Sequence, residues 1–122
     1  MNIKKKEIII FGTGRLQKDF EYMFENLNIT AYISKQENIG ETYNSKKCYT
    51  FNNLTKDLFK NKLVIICERK DKEINNFLES FDLKEKKHFI YMEDLAYLLD
   101  DKKELIADKL MYCVLTVYLY LK

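Results

Sequence analysis

The chain has no proline, only three glycines, three cysteines and one histidine among 122 residues, and these scarcities close off several classes of function. Cys48, Cys67 and Cys113 are odd in number, far apart and in no C-x-x-C spacing, so neither a disulfide framework nor a zinc site is indicated. A lone His88 cannot assemble a histidine-based metal centre, and it reads as a capping or interfacial residue rather than a catalytic one. Residues 1–6 lack the apolar stretch of a secretory signal, so the expected compartment is a reducing cytoplasm. Charge of one sign is also missing: the formal net charge is +2, and lysines alternate with acids almost everywhere. The one local excess, Lys4-Lys5-Lys6, reads as solvated protection beside a first strand rather than a nucleic-acid contact. Nine tyrosines and eight phenylalanines are spread over core positions, which leaves no stacking platform for bases. The absence of proline, with abundant Lys, Asn and Ile, reads as the composition of an AT-rich genome rather than as a structural choice.

What is present describes a folded domain. Apolar residues make up 47% and charged residues 33%, the balance of a soluble globular chain long enough to bury a core. Residues 7–11 are a continuous apolar run after Glu7, as a central parallel strand requires. Residues 29–33, 63–67 and 89–91 read as three more strands, and 48–51 as a short edge piece. Leu16, Phe20, Met23, Phe24 and Leu27 form one helical stripe over 15–28. Ile74, Phe77, Leu78 and Phe81 form a second stripe. Short helices are expected at 53–59, with Asn53 as cap, and at 93–99, where Glu93 and Asp94 suit the N-terminus. Strand alternating with helix specifies an α/β fold: a mostly parallel sheet of four main strands between helical layers. It is expected to occupy residues 1–103. Residues 104–122 form a separate apolar segment, uncharged from Leu110 to Leu121 and too short to span a bilayer as a helix. Strand and helix both fit it, and it must pack on the domain, a second copy, another protein or a continuation of the chain.

The feature that points to chemistry is Gly12-Thr13-Gly14, where two of the three glycines separate the first strand from the first helix. A strand, a tight turn and a helix N-terminus place unpaired amides and the positive end of a macrodipole where a phosphate can sit. Gly12, Thr13, Gly14, Arg15 and Leu16 are therefore the candidate ligand contacts. Cys67 and Glu68 join them, because they end the third strong strand, whose carboxyl end neighbours that of the first at a topological switch point. Arg15 and Arg69 are the only arginines among 21 basic residues, and a guanidinium fork suits phosphate. The complete dinucleotide fingerprint asks for a small residue where Gln17 stands and an acid where Ser34 stands. Ser34 with Lys35 instead offers an anion contact. Cys67 reads as a buried small residue, and no acid, base or nucleophile stands in a catalytic spacing.

On residues 8–14, 31–34, Ile39 with Gly40, 46–49, Asn53 with Leu54, and 63–67, the chain resembles a known group. These are the small Rossmann-like nucleotide-binding domains of bacterial sugar-modifying and surface-polysaccharide proteins, similar to the CoA- or NAD-binding N-terminal domains of sugar acyltransferases and nucleotide-sugar dehydratases. The resemblance covers about residues 6–99 and implies a Rossmann-like three-layer fold. It also implies NAD(P), CoA or a nucleotide-sugar as ligand, and an accessory rather than self-sufficient role. Residues 114–121 resemble the first barrel strand of radical S-adenosylmethionine enzymes, which implies a larger catalytic partner. The alternative from the residues alone is a non-catalytic interaction or dimerisation domain with a degenerate ligand site.

Overall fold

A computed structural model of the chain describes residues 3–37 and 39–97. The proposed segment 104–122, its resemblance to a barrel strand, and Cys113 lie outside the described residues. Six strands form one mixed sheet: β1 (Glu7–Phe11), β2 (Asn28–Ile33), β3 (Thr42–Tyr43), β4 (Lys46–Tyr49), β5 (Lys62–Ile66) and β6 (Phe89–Tyr91). Two α-helices, α1 (Arg15–Met23) and α2 (Lys72–Glu79), accompany it, with 3-10 turns at Ile3–Lys5, Lys56–Phe59 and Met92–Tyr97. The strand order is β3-β4-β2-β1-β5-β6. Every pairing is parallel except the β3–β4 hairpin, so the expected α/β class with a mostly parallel sheet is met.

β1 is the centre of this sheet because it can be buried on both faces. Ile8 and Ile10 enter one core cluster, with Phe20 and Phe24 from the α1 side. Ile9 and Phe11 enter the other, with Ile74 and Leu78 from α2. Period-2 alternation thus separates the two clusters strand by strand. A bulge at Thr30 re-phases β2: Ile8 pairs with Ile29 but Ile9 with Ala31. The extra residue lets Ile29 and Tyr32 share the α1 side while Ala31 and Ile33 line the α2 side. The Thr30 hydroxyl bonds to the Ile8 carbonyl across the gap at 3.2 Å.

Four differences from the sequence reading have local causes. Among the described residues there are six strands rather than four, because Lys46 and Lys47 extend a strand expected only from residue 48, and Asn44 and Ser45 adopt positive φ to close a hairpin. α1 ends at Met23, since Asn26 at φ 65° turns the chain out of the helix before Leu27. Asn53 caps no helix: its side-chain oxygen accepts from the Thr50 amide, and Thr55 stands at the head of the short 3-10 turn. Of the helix expected at 93–99, the described residues form a 3-10 turn, Met92–Tyr97, that begins directly at the end of β6.

Candidate functional site

The chain leaves β1 to α1 and β2 on one side of the sheet, and returns through the Lys56–Phe59 turn to β5 on the other. The crevice beyond the carboxyl ends of β2, β1 and β5 is therefore a topological switch point, the place where open α/β sheets present ligands. Gly12, Thr13, Gly14, Ser34, Cys67 and Glu68 all follow directly on these three strands.

The two glycines of the turn have different reasons to be there. Gly12 has φ +119°, and a Cβ built on it would lie 2.8 Å from the Cys67 carbonyl oxygen and 3.0 Å from a Glu68 carboxylate oxygen. Backbone conformation and close approach of β5 both demand glycine. Gly14 is the residue before α1, at φ −100° and ψ −152°, an extended conformation open to any residue. A Cβ there would meet nothing within 4 Å. Gly14 also provides no side-chain cap, and the first helical bond runs from the Lys18 amide to the Gly14 carbonyl. The amides of Arg15, Leu16 and Gln17 stand ahead of that bond, at the positive end of the macrodipole.

The remaining candidates take distinct positions. Thr13 and Ser34 exchange a hydroxyl hydrogen bond of 2.9 Å, tying the end of β1 to the end of β2. Ser34 is fully buried, and its oxygen also accepts from the Gln36 amide at 3.0 Å. It acts here as a fastener for Thr13. Lys35, the next residue, carries the exposed charge and pairs with Glu68 at 3.5 Å, so an ion pair crosses the crevice over the Gly12 turn. Arg15 lies in solvent, 74% exposed, and pairs loosely with Asp19 one turn on at 3.7 Å. Leu16 packs partly into the α1-side core, leaving its amide as its contribution to the turn. Cys67 is wholly buried, and its backbone, bonded to the Phe11 carbonyl, forms the wall behind Gly12.

A polar network under α1 escaped the sequence reading. Gln17, 1% exposed, bonds through its amide group to Glu21 and through its oxygen to the Tyr43 hydroxyl at 2.8 Å. The Tyr32 hydroxyl donates to Glu21 at 2.9 Å and accepts from Asn44 at 3.3 Å. Tyr43 also reaches the Thr13 carbonyl at 3.2 Å, so the β3–β4 hairpin is clamped onto the glycine turn. Burial pushes the Tyr32 hydroxyl pKa well up, with Glu21 adding to the effect and Asn44 opposing it. The signal for this network was Gln17 and Glu21 at i and i+4, interrupting a face otherwise apolar.

A second charged group lies at the end of β6. Asp94 is 6% exposed, and Lys70 donates to its Oδ1 at 3.1 Å while standing 2.9 Å from Oδ2 without hydrogen-bond geometry. This bond raises the Lys70 pKa. Burial raises that of Glu93, a shift Lys70 opposes and Asp94 reinforces. His88 lies at the other end of β6, where its Nδ1 accepts from the Lys84 amide at 2.9 Å.

Among the described residues no cluster of His, Cys, Asp or Glu is placed to hold a metal ion. Nor is any helix among them long and apolar enough to cross a membrane. The chain matches no family model, no curated protein and no solved structure.

Proposed function

We propose that the chain is a Rossmann-like domain that binds the phosphates of a nucleotide or nucleotide-sugar at Gly12-Thr13-Gly14, as an accessory or regulatory module. One observation carries this reading: neither backbone conformation nor close packing requires a glycine at Gly14. Its φ is ordinary and open space surrounds it, so its missing side chain gives free access to the amides that open α1. In this reading the Arg15 and Leu16 amides donate to phosphate oxygens, and the Arg15 guanidinium, already in solvent, turns onto the same anion. Glu68 and Lys35, released from each other, meet the rest of the ligand: the carboxylate accepts from sugar hydroxyls and the ammonium neutralises a second phosphate. Buried Ser34 and Gln17 weigh against a standard NAD site and toward CoA or a nucleotide-sugar.

The test is a thermal-shift screen of NAD, NADP, CoA and UDP- and CDP-sugars. A true ligand at a hundred times its Kd stabilises the folded state by about 2.7 kcal/mol. Gly14→Val, whose extended backbone tolerates the side chain, keeps the fold and abolishes the shift. Absence of a shift with every compound at millimolar concentration refutes the reading. A second reading, an interaction domain with a degenerate site, is favoured by the Lys35–Glu68 pair across the crevice. It predicts self-association in light scattering that is lost when residues 110–122 are removed.

A further inference from the structure

At the opposite, amino-terminal edge of the sheet is a cavity of about 430 Å³ with no acidic residue in its lining. Lys6 enters β1, Asn61 and Lys62 enter β5, and Lys87 and His88 enter β6, with Phe59 as an apolar wall. Three adjacent parallel strands thus bring cationic or hydrogen-donating side chains to one opening. Lys62 is paired with Glu7 at 3.3 Å, and this is the one ion pair formed by these lysines among the described residues. His88 adds a directed donor: because Nδ1 accepts from the Lys84 amide, the ring proton of the neutral form resides on Nε2. A neighbouring depression that shares Phe59, Asn61 and His88 is balanced instead, with Asp57 and Asp82 against Lys56 and Lys60.

We propose that this basic cavity binds a small, multiply charged phosphate anion, separately from the glycine turn. The lining itself offers ammonium groups, an amide and an imidazole N–H and holds no carboxylate, while the Glu7 carboxylate beside it is bound to Lys62, so Lys6 and Lys87 carry the net positive charge. The volume exceeds that of a single ion and suits a phosphorylated small molecule. β1 is five residues long, so the two sites are roughly 16 Å apart along the strand and can be perturbed independently. This closes a gap in the sequence reading, in which Lys6 belonged only to a solvated basic triplet.

The test is pyrophosphate titrated into the labelled full chain, followed by amide chemical shifts and calorimetry. The expected result is saturable shifts at Asn61, Lys62, Lys87 and His88, weakening as salt is raised. The Lys6→Gln/Lys87→Gln variant should bind at least about tenfold more weakly, with each lost charge-assisted bond partly screened at the surface. Gly14→Val should leave this binding unchanged, which separates the two sites. No shifts at about 10 mM pyrophosphate, far above any useful Kd, would overturn the proposal. So would shifts centred on Gly12 to Arg15, or unaltered affinity in the double variant. Tighter binding of a single-stranded oligonucleotide across the same lysines would also overturn it, assigning the face to nucleic acid.

Discussion

Replacing each glycine of the turn by alanine separates a backbone requirement from a ligand requirement. In Gly12→Ala the new methyl group is placed at φ +119° and 2.8 Å from the Cys67 carbonyl oxygen. That oxygen belongs to the backbone just after β5, whose neighbouring amide is bonded to Phe11, so it cannot swing away. Strained backbone costs about 1–3 kcal/mol and overpacking a similar amount, while the stiffer unfolded chain returns about 0.4–1 kcal/mol. The expected net loss is about 3 kcal/mol, a drop of more than about a hundredfold in the folded-to-unfolded ratio. For a chain of this size it lowers Tm by about 10 °C or more. In Gly14→Ala the same methyl group meets nothing within 4 Å at an extended φ. The entropic gain and a slightly poorer cap nearly cancel, leaving a change within about 0.5 kcal/mol. Urea unfolding of both variants, followed by far-ultraviolet circular dichroism, measures the contrast. Equal losses in the two variants, or a Gly12→Ala midpoint at the wild-type value, would refute the assignment of roles.

Other perturbations follow from the polar groups. Tyr32→Phe removes a hydroxyl shared by Glu21 and Asn44 and should cost about 1 kcal/mol in urea unfolding. Lys70→Ala leaves the Asp94 carboxylate buried without its partner; with Lys70 half exposed, the loss should be about 1–2 kcal/mol, recovered in Lys70→Met/Asp94→Leu. In alkali, burial raises the pKa values of Tyr32, Tyr43, Tyr91 and Cys48, and the bond to Asp94 raises that of Lys70. The folded state keeps these protons longer than the unfolded state, so stability should hold at neutral pH and fall as pH rises past the ordinary cysteine and tyrosine values of 9.0 and 10.0. Urea midpoints at a series of pH values test this, with a shallower decline in Tyr32→Phe. By the same sign, the raised Glu93 pKa makes stability fall as pH climbs from 4.5 through the raised value, and Glu93→Gln should remove that slope.

The apolar runs at residues 7–11, 63–67 and 89–91 led to β1, β5 and β6 within a residue, because a strand buried on both faces leaves no room for polar side chains. The glycine turn was legible for the same kind of reason: abrupt loss of the apolar run at a scarce residue type marks a backbone demand. The β3–β4 hairpin was not, since Thr42, Tyr43, Lys46 and Lys47 carry no burial pattern and depend on β2 for their pairing. Gln17 read as a departure from a fingerprint; only the approach of Tyr43 from a strand 26 positions away shows how its burial is satisfied. Asp94 read as a charge at a helix start, yet Lys70 reaches it from the loop between β5 and α2.

By itself, then, the amino-acid order determined the class of fold, the strands buried on both faces and the turn at Gly12 and Gly14. These rest on local rules: residue burial, periodicity and permitted φ. Tertiary structure alone decided that Gly12 is required and Gly14 is not, and that Ser34 is inside while Lys35 and Glu68 cross the crevice. It also decided that Lys6, Lys62 and Lys87 share one cavity. Each of these depends on which strands become neighbours, and parallel pairing brings together residues that sequence distance keeps apart.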